Sequence, residues 1–145
     1  MNLHLVVMNY NKDEISKNLM ERLNQFPLYN NNHWVGVHID KNIHISYAPT
    51  WRRIENIEKT RFDIEIQNDI CYILDLNIEQ ERRRKGNGSL LVRIIEEFCY
   101  HEFSSKKFIT TPSGEGAKKD KNGKCFWEKI GYHYFNDKEV EKTLP

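Results

Sequence analysis

Between Ile73 and Phe98 an apolar run ending in Leu76 and Ile78 passes into Glu79-Gln80-Glu81-Arg82-Arg83-Arg84-Lys85-Gly86-Asn87-Gly88-Ser89. Leu90, Leu91, Ile94, Ile95 and Phe98 then recur at helical spacing, with Arg93, Glu96, Glu97 and His101 on the polar side. A strand thus delivers a glycine-relaxed turn to a helix N-terminus. Such an end leaves its first amide N–H groups unpaired and carries partial positive charge. Gly86 and Gly88 remove Cβ atoms that would keep an anion from those amides, and Arg82 to Lys85 place four consecutive cations in the turn. The stretch predicts an anion site, and phosphate is its natural guest.

The rest of the chain supplies a frame for that unit. Leu3 to Met8 reads as a first strand, and from Asp13, taken as N-cap, Ile15, Leu19, Met20 and Leu23 mark a helix to about Asn24. His33 to Ile39 and Ile43 to Ala48 form a hairpin about Asp40-Lys41-Asn42. Pairing Ile39 with Ile43 puts Val35, Val37, Ile39, Ile43, Ile45 and Tyr47 on one face and sets His38 opposite His44 on the other. Two histidines without a third ligand read as a polar sheet face rather than a metal site. Pro49 to Lys59 stays unassigned. Phe62 to Ile66 alternates, turns at Gln67-Asn68-Asp69, and returns as a longer strand from Ile70 to Ile78. After the helix, Phe108 to Thr111 forms a strand parallel to it, closed by Pro112. Ligands of such units bind at the strands' C-terminal ends. Ser113 to Lys124 is a polar loop, Cys125 to Ile130 a short helix ended by Gly131, and Tyr132 to Phe135 with Glu139 to Leu144 a last strand pair.

A chain of 145 residues is the length of one ordinary domain, so residues 1–145 are expected to fold as a single unit. Lys and Arg number 22 against 21 Asp and Glu, a balance that argues against a generally basic nucleic-acid binder. Cys71, Cys99 and Cys125 form no zinc spacing and read as buried free thiols. No signal segment or membrane-length apolar run is present, which predicts a cytoplasmic protein without a membrane partner.

Two familiar phosphate loops fail on residue type. A P-loop needs its lysine after the glycines, whereas Lys85 precedes them, and a dinucleotide loop needs a third glycine where Leu91 stands. What fits is R/Q-x-x-G-x-G/A, present as Arg83-Arg84-Lys85-Gly86-Asn87-Gly88. In this setting the stretch resembles the acetyl-CoA-binding motif of the GCN5-related N-acetyltransferases (GNAT). Phe126-Trp127-Glu128-Lys129-Ile130-Gly131-Tyr132 is similar to that family's closing F-Y-E-K-x-G-F segment. The resemblance runs from Ile70 to Phe135.

It implies an α/β (mixed-sheet α+β) GNAT-like fold, a central mixed sheet flanked by helices, whose parallel strands splay to admit the pantetheine arm. It further implies that amides from Arg83 through Arg84, Lys85, Gly86, Asn87 and Gly88 to Ser89 hold the pyrophosphate, while main-chain groups at Leu76 and Ile78 pair with the pantetheine and acetyl groups. The implied reaction is direct attack of a primary amine on the thioester, without an acyl-enzyme and without a metal. The acceptor, small molecule or protein, is left open, as is the choice between monomer and homodimer. Where the family usually carries a tyrosine acid the chain has Trp127, and where histone-modifying members often carry a glutamate base it has Tyr72; Gln80 replaces a usual proline. Asp75, Glu115 and Tyr132 are the candidate catalytic residues, with Tyr134 and Tyr72 as further hydroxyls. His33, Trp34, Trp51, Arg52 and Arg53 are candidates for lining an acceptor pocket. Two other readings stand beside this one: an acetyl-CoA-binding protein without catalysis, and a nucleic-acid-binding face made of the basic turn and Lys118 to Lys124.

Overall fold

A computed structural model describes residues 10–29, 34–48 and 59–145. The strand expected over Leu3 to Met8, residue His33, and the stretch from Pro49 to Glu58 lie outside them. The described elements run α1 (Lys12–Leu23), β1 (Trp34–Ile39), β2 (Ile43–Ala48), β3 (Arg61–Gln67), β4 (Ile70–Asn77), α2 (Asn87–Phe103), β5 (Lys107–Thr110), α3 (Phe126–Lys129), β6 (His133–Tyr134) and β7 (Val140–Thr143). The strands form one sheet in the order β1-β2-β3-β4-β5-β7-β6, antiparallel throughout except between β4 and β5. This is the expected mixed sheet. No described helix is long and apolar enough to cross a membrane.

Alternation decides which face is covered. Ile43, Ile45, Tyr47, Phe62, Ile64, Ile66, Cys71, Ile73, Phe108 and Val140 share one core with Ile15, Leu19 and Leu23 of α1 and Leu91, Ile94, Ile95, Phe98 and Phe103 of α2. Both helices lie on that face, tied to each other by Asn18 Nδ2, which donates to the Glu102 carboxylate at 3.1 Å. The first hairpin has the expected register, Ile39 against Ile43 and His38 against His44.

Three local expectations are corrected. The N-cap of α1 is Asn11, whose Oδ1 accepts from the amides of Asp13 and Glu14, while Asp13 sits in the first turn where the helix dipole favours it. Met20, assigned to the apolar stripe, is 37% exposed. Glu96, assigned to the polar side of α2, is buried, because its carboxylate accepts from Tyr132 Oη at 2.7 Å and from Lys142 Nζ at 3.1 Å. The three cysteines are free and buried as expected, with Cys99 Sγ 3.8 Å from Cys71 Sγ.

Two irregularities in β4 position the site. Ile73 faces Ile64 and Asp75 faces Asp63, so Leu74 is an extra residue on β4, a bulge that leaves it 53% exposed. On the other side β4 pairs with β5 only from Ile70 opposite Lys107 to Ile73 opposite Thr110. Buried Thr110 closes this last rung by donating from Oγ1 to the Ile73 carbonyl at 2.7 Å. Past it β4 continues to Asn77 whereas β5 ends at Thr110, so the parallel ladder stops short of the end of β4. Thr110→Val keeps the side-chain shape and removes that bond. It is expected to cost about 1 kcal/mol of stability in urea denaturation, while Thr110→Ser, which keeps the hydroxyl, retains the bond.

Candidate functional site

Past the last β4–β5 pair, the chain leaves β4 through a single 3₁₀ turn, Gln80–Arg82, and enters α2. Arg84 takes a left-handed conformation at φ 63° and Gly86, the N-cap of α2, another at φ 81°. No side chain caps the helix. Its first main-chain bond runs from the Leu90 amide to the Gly86 carbonyl at 3.0 Å, so the amides of Asn87, Gly88 and Ser89 precede the helical ladder. Asn87 spends its side chain on the turn itself, donating from Nδ2 to the Arg82 carbonyl at 2.9 Å.

The two glycines answer different needs. A Cβ on Gly86 would meet open space, so its backbone angle is what requires glycine. A Cβ on Gly88 would lie 3.2 Å from two ring carbons of Phe126 and 3.8 Å from Ile78 Cγ1. Gly88 therefore lets α2 seat closely against α3 and the end of β4.

The four cations also separate. Arg82, Arg84 and Lys85 are exposed. Arg83 is half-buried and turns back toward β4, donating from Nε to the Ile78 carbonyl at 2.8 Å and from a terminal nitrogen to Asn77 Oδ1 at 3.1 Å. Its own amide donates to the Gln80 carbonyl at 3.3 Å. Asn77 in turn donates to the Lys59 carbonyl at 2.8 Å. Leu76, half-buried, stands opposite Phe62 within the β3–β4 ladder, and Ile78 is buried just beyond it.

On the neighbouring strand, β5 leads into the turn Gly114–Ala117. Glu115 is exposed there and pairs with Lys118 Nζ at 2.7 Å. The Lys118 hydrogen bond and charge hold its carboxyl below the usual value, and the charges of Arg83 and Arg84 add to this, which sets the basic turn within electrostatic reach of this loop. Solvent screens such a pair, so it adds little stability. The loop backbone rests on α3, since a Cβ on Gly116 would lie 3.1 Å from Trp127 Nε1. Thus α3 meets the start of α2 through Phe126 and the loop after β5 through Trp127.

Asp75 is on β4 next to the bulge, 39% exposed, in an ion pair with Arg61 Nε at 2.7 Å. Its cross-strand neighbour Asp63 accepts a hydrogen bond from Ser46 Oγ. Tyr132 is placed differently. It is buried edge-on to Trp127 with its hydroxyl given to Glu96, and burial first, then the Glu96 carboxylate, push its pKa far up. Tyr72, half-buried, faces Glu65, while Tyr134 is at the surface beneath Lys119 Nζ. Among the described residues no group of three His, Cys, Asp or Glu side chains is placed to hold a metal ion. Thr110, Asn77 and Lys142 were missed as contributors. Each acts on a residue distant in sequence or on a strand end, which periodicity does not report.

Two measurements follow from this geometry. Left-handed backbone costs a side chain roughly 1 kcal/mol, so Gly86→Ala is expected to destabilise by about that much and Arg84→Gly to stabilise by a similar amount in chemical denaturation. Tyr132 holds its proton in the folded state above its ordinary value of 10.0. Above about pH 10 the unfolded chain loses that proton and the folded one keeps it, so stability falls as pH rises. Wild type is expected to lose up to about 1.4 kcal/mol per pH unit more than Tyr132→Phe in that range.

No family model matches the chain, and no curated protein sequence does. Solved structures do. An acetyltransferase from Bacillus cereus ATCC 14579 superposes with a TM-score of 0.53 at 16% identity, over 91% of this chain and 91% of that one. Looser likenesses include the PaiA N-acetyltransferase from Thermoplasma acidophilum in complex with coenzyme A, with a TM-score of 0.48 at 14% identity over 71% of this chain. The chain spans 61% of the length of that protein. Another is a putative N-acetyltransferase, YhhK, from E. coli bound to coenzyme A, with a TM-score of 0.49 at 15% identity over 93% of both chains. With a mixed sheet whose one parallel pair among the described strands is crossed by α2, and a near full-length superposition, the chain shares the fold of the Bacillus cereus acetyltransferase.

Proposed function

We propose that this chain is an N-acetyltransferase that moves an acetyl group from acetyl-CoA to a primary amine. The observation that carries the reading is the uncapped N-terminus of α2, opening directly off a strand whose parallel ladder stops at Ile73 and Thr110. The amides of Gly86 to Ser89 are suited to a pyrophosphate, and exposed Arg82, Arg84 and Lys85 supply the surrounding positive field. In this reading the arm lies between β4 and β5, along Leu76 and Ile78.

The chemistry then needs little from the protein beyond placement. The amine nitrogen bonds to the thioester carbonyl carbon, the C–S bond breaks, and the sulfur leaves as thiolate while the nitrogen's surplus proton passes to a base. Asp75, beside the bulge, and Glu115, on the opposite lip, are the carboxylates offered to the amine. Each is already paired, Glu115 with Lys118 and Asp75 with Arg61, so either must leave its cation to take the proton. Tyr132 is held on Glu96 and Trp127 offers only an indole N–H, so the thiolate is left to take its proton from solvent. A thiol pKa of about 8.5 makes it a workable leaving group.

Trp127 also favours a second reading, an acetyl-CoA-binding protein without turnover. Calorimetry is expected to show acetyl-CoA binding by wild type and at least tenfold weaker binding by Gly86→Glu, which brings both a carboxylate and a strained backbone to the turn; no heat from wild type would sink both readings. Free-thiol release over a panel of amines, polyamines, amino acids and peptides then separates them, with release supporting transfer and silence across the panel supporting binding alone.

A further inference from the structure

We infer that Arg83 is a positioning residue: it governs affinity for the anionic donor by bracing the β4–α2 turn, not by contacting the anion. The inference rests on the acetyl-CoA reading for its ligand, though its first observation does not. Among four adjacent cations Arg83 alone turns inward, and both ends of the residue are committed within the chain. The amide goes to the Gln80 carbonyl at 3.3 Å, Nε to the Ile78 carbonyl at 2.8 Å, and a terminal guanidinium nitrogen to Asn77 Oδ1 at 3.1 Å. Asn77 is itself anchored on Lys59. The fork therefore ties the turn to the last residues of β4 on two atoms at once, which a planar guanidinium does and a point charge does not.

The turn needs such a brace. Arg84 and Gly86 both sit in left-handed backbone, α2 has no side-chain cap, and Arg82, Arg84 and Lys85 are exposed. Among the described residues, the contacts that fix its direction are Arg83 on the strand end, the Glu79 amide on buried Thr60 Oγ1 at 3.2 Å, Asn87 on the Arg82 carbonyl, and Gly88 against Phe126. If Arg83 lets go, the amides ahead of Leu90 are no longer aimed at one point, and an anion held by several amides together loses them together.

Glutamine separates bracing from charge. Its Nε2 occupies the same place along the side chain as arginine Nε, so Arg83→Gln keeps a donor for the Ile78 carbonyl and discards the charge, whereas Arg83→Met discards both. Acetyl-CoA titrations across a range of salt concentrations are expected to put Arg83→Gln within about threefold of wild type and Arg83→Met about tenfold weaker. The salt dependence of Arg83→Met should match wild type, while that of Arg84→Met flattens. Equal weakening in the Gln and Met variants, with a flattened salt dependence in both, would overturn the inference and assign Arg83 to the anion. Amide hydrogen exchange over residues 84–90 without ligand gives an independent readout. It should quicken in Arg83→Met, or in Arg83→Ala if the first does not fold, and stay near wild type in Arg83→Gln; an unchanged turn in Arg83→Met also overturns the inference. Should wild type bind no acetyl-CoA, the donor reading falls, and exchange still decides whether Arg83 holds the turn.

Discussion

Parallel strands cannot be joined by a tight hairpin, and this topological constraint places everything else at the site. From the end of β4 the chain must cross back over the sheet to begin β5, and α2 is that crossing. A helix that starts where a strand stops has its unpaired amides at the strand's C-terminal edge. The same edge is where β4 outlasts β5, because the rung from Thr110 Oγ1 to the Ile73 carbonyl is the last they share. The end of the parallel ladder and a partial positive charge thus arise together from one crossover.

What keeps α2 in place along its length is polar as well as apolar. Its stripe packs on the sheet, but Glu96 on the same helix is buried with two donors, Tyr132 and Lys142, brought in from beyond α3 and from β7. A buried carboxylate without donors would be costly, so the three groups stand or fall as a set. Lys142 further donates to the Ile130 carbonyl at 3.2 Å, which joins the end of α3 to β7. Because α3 touches the start of α2 through Phe126 and the loop after β5 through Trp127, this network braces both of those segments. Tyr132 belongs to that brace, and its hydroxyl is committed to the Glu96 carboxylate.

How much of this was legible in the sequence depends on how far each signal reaches. The hairpin register of β1 and β2 could be read because a period of two and a turn at Asp40 to Asn42 leave one consistent pairing. The strand-turn-helix unit could be read because its cues are contiguous. The bulge at Leu74 could not, since an apolar run without clean alternation does not say which residue is extra until β3 is laid beside it. Glu96 was misplaced for a related reason: a helical wheel scores it polar, and its partners stand 36 and 46 residues further on. The packing of Gly88 against Phe126 was not legible either, because the ring that crowds its Cβ position is equally remote.

The basic turn shows most sharply why residue type alone does not assign a role. Four neighbouring cations differ little as letters, but a tight turn cannot point four long side chains the same way. The main chain reverses through a 3₁₀ turn and two left-handed residues, and in doing so it sends one guanidinium back to the strand and leaves the other cations in solvent. The inward one loses hydration and recovers it as hydrogen bonds to a carbonyl and an amide oxygen. The outward ones keep their hydration and contribute only a field, screened by salt. Geometry therefore sets one inward, hydrogen-bonded guanidinium apart from three exposed cations, although its charge still reaches Glu115 alongside that of Arg84.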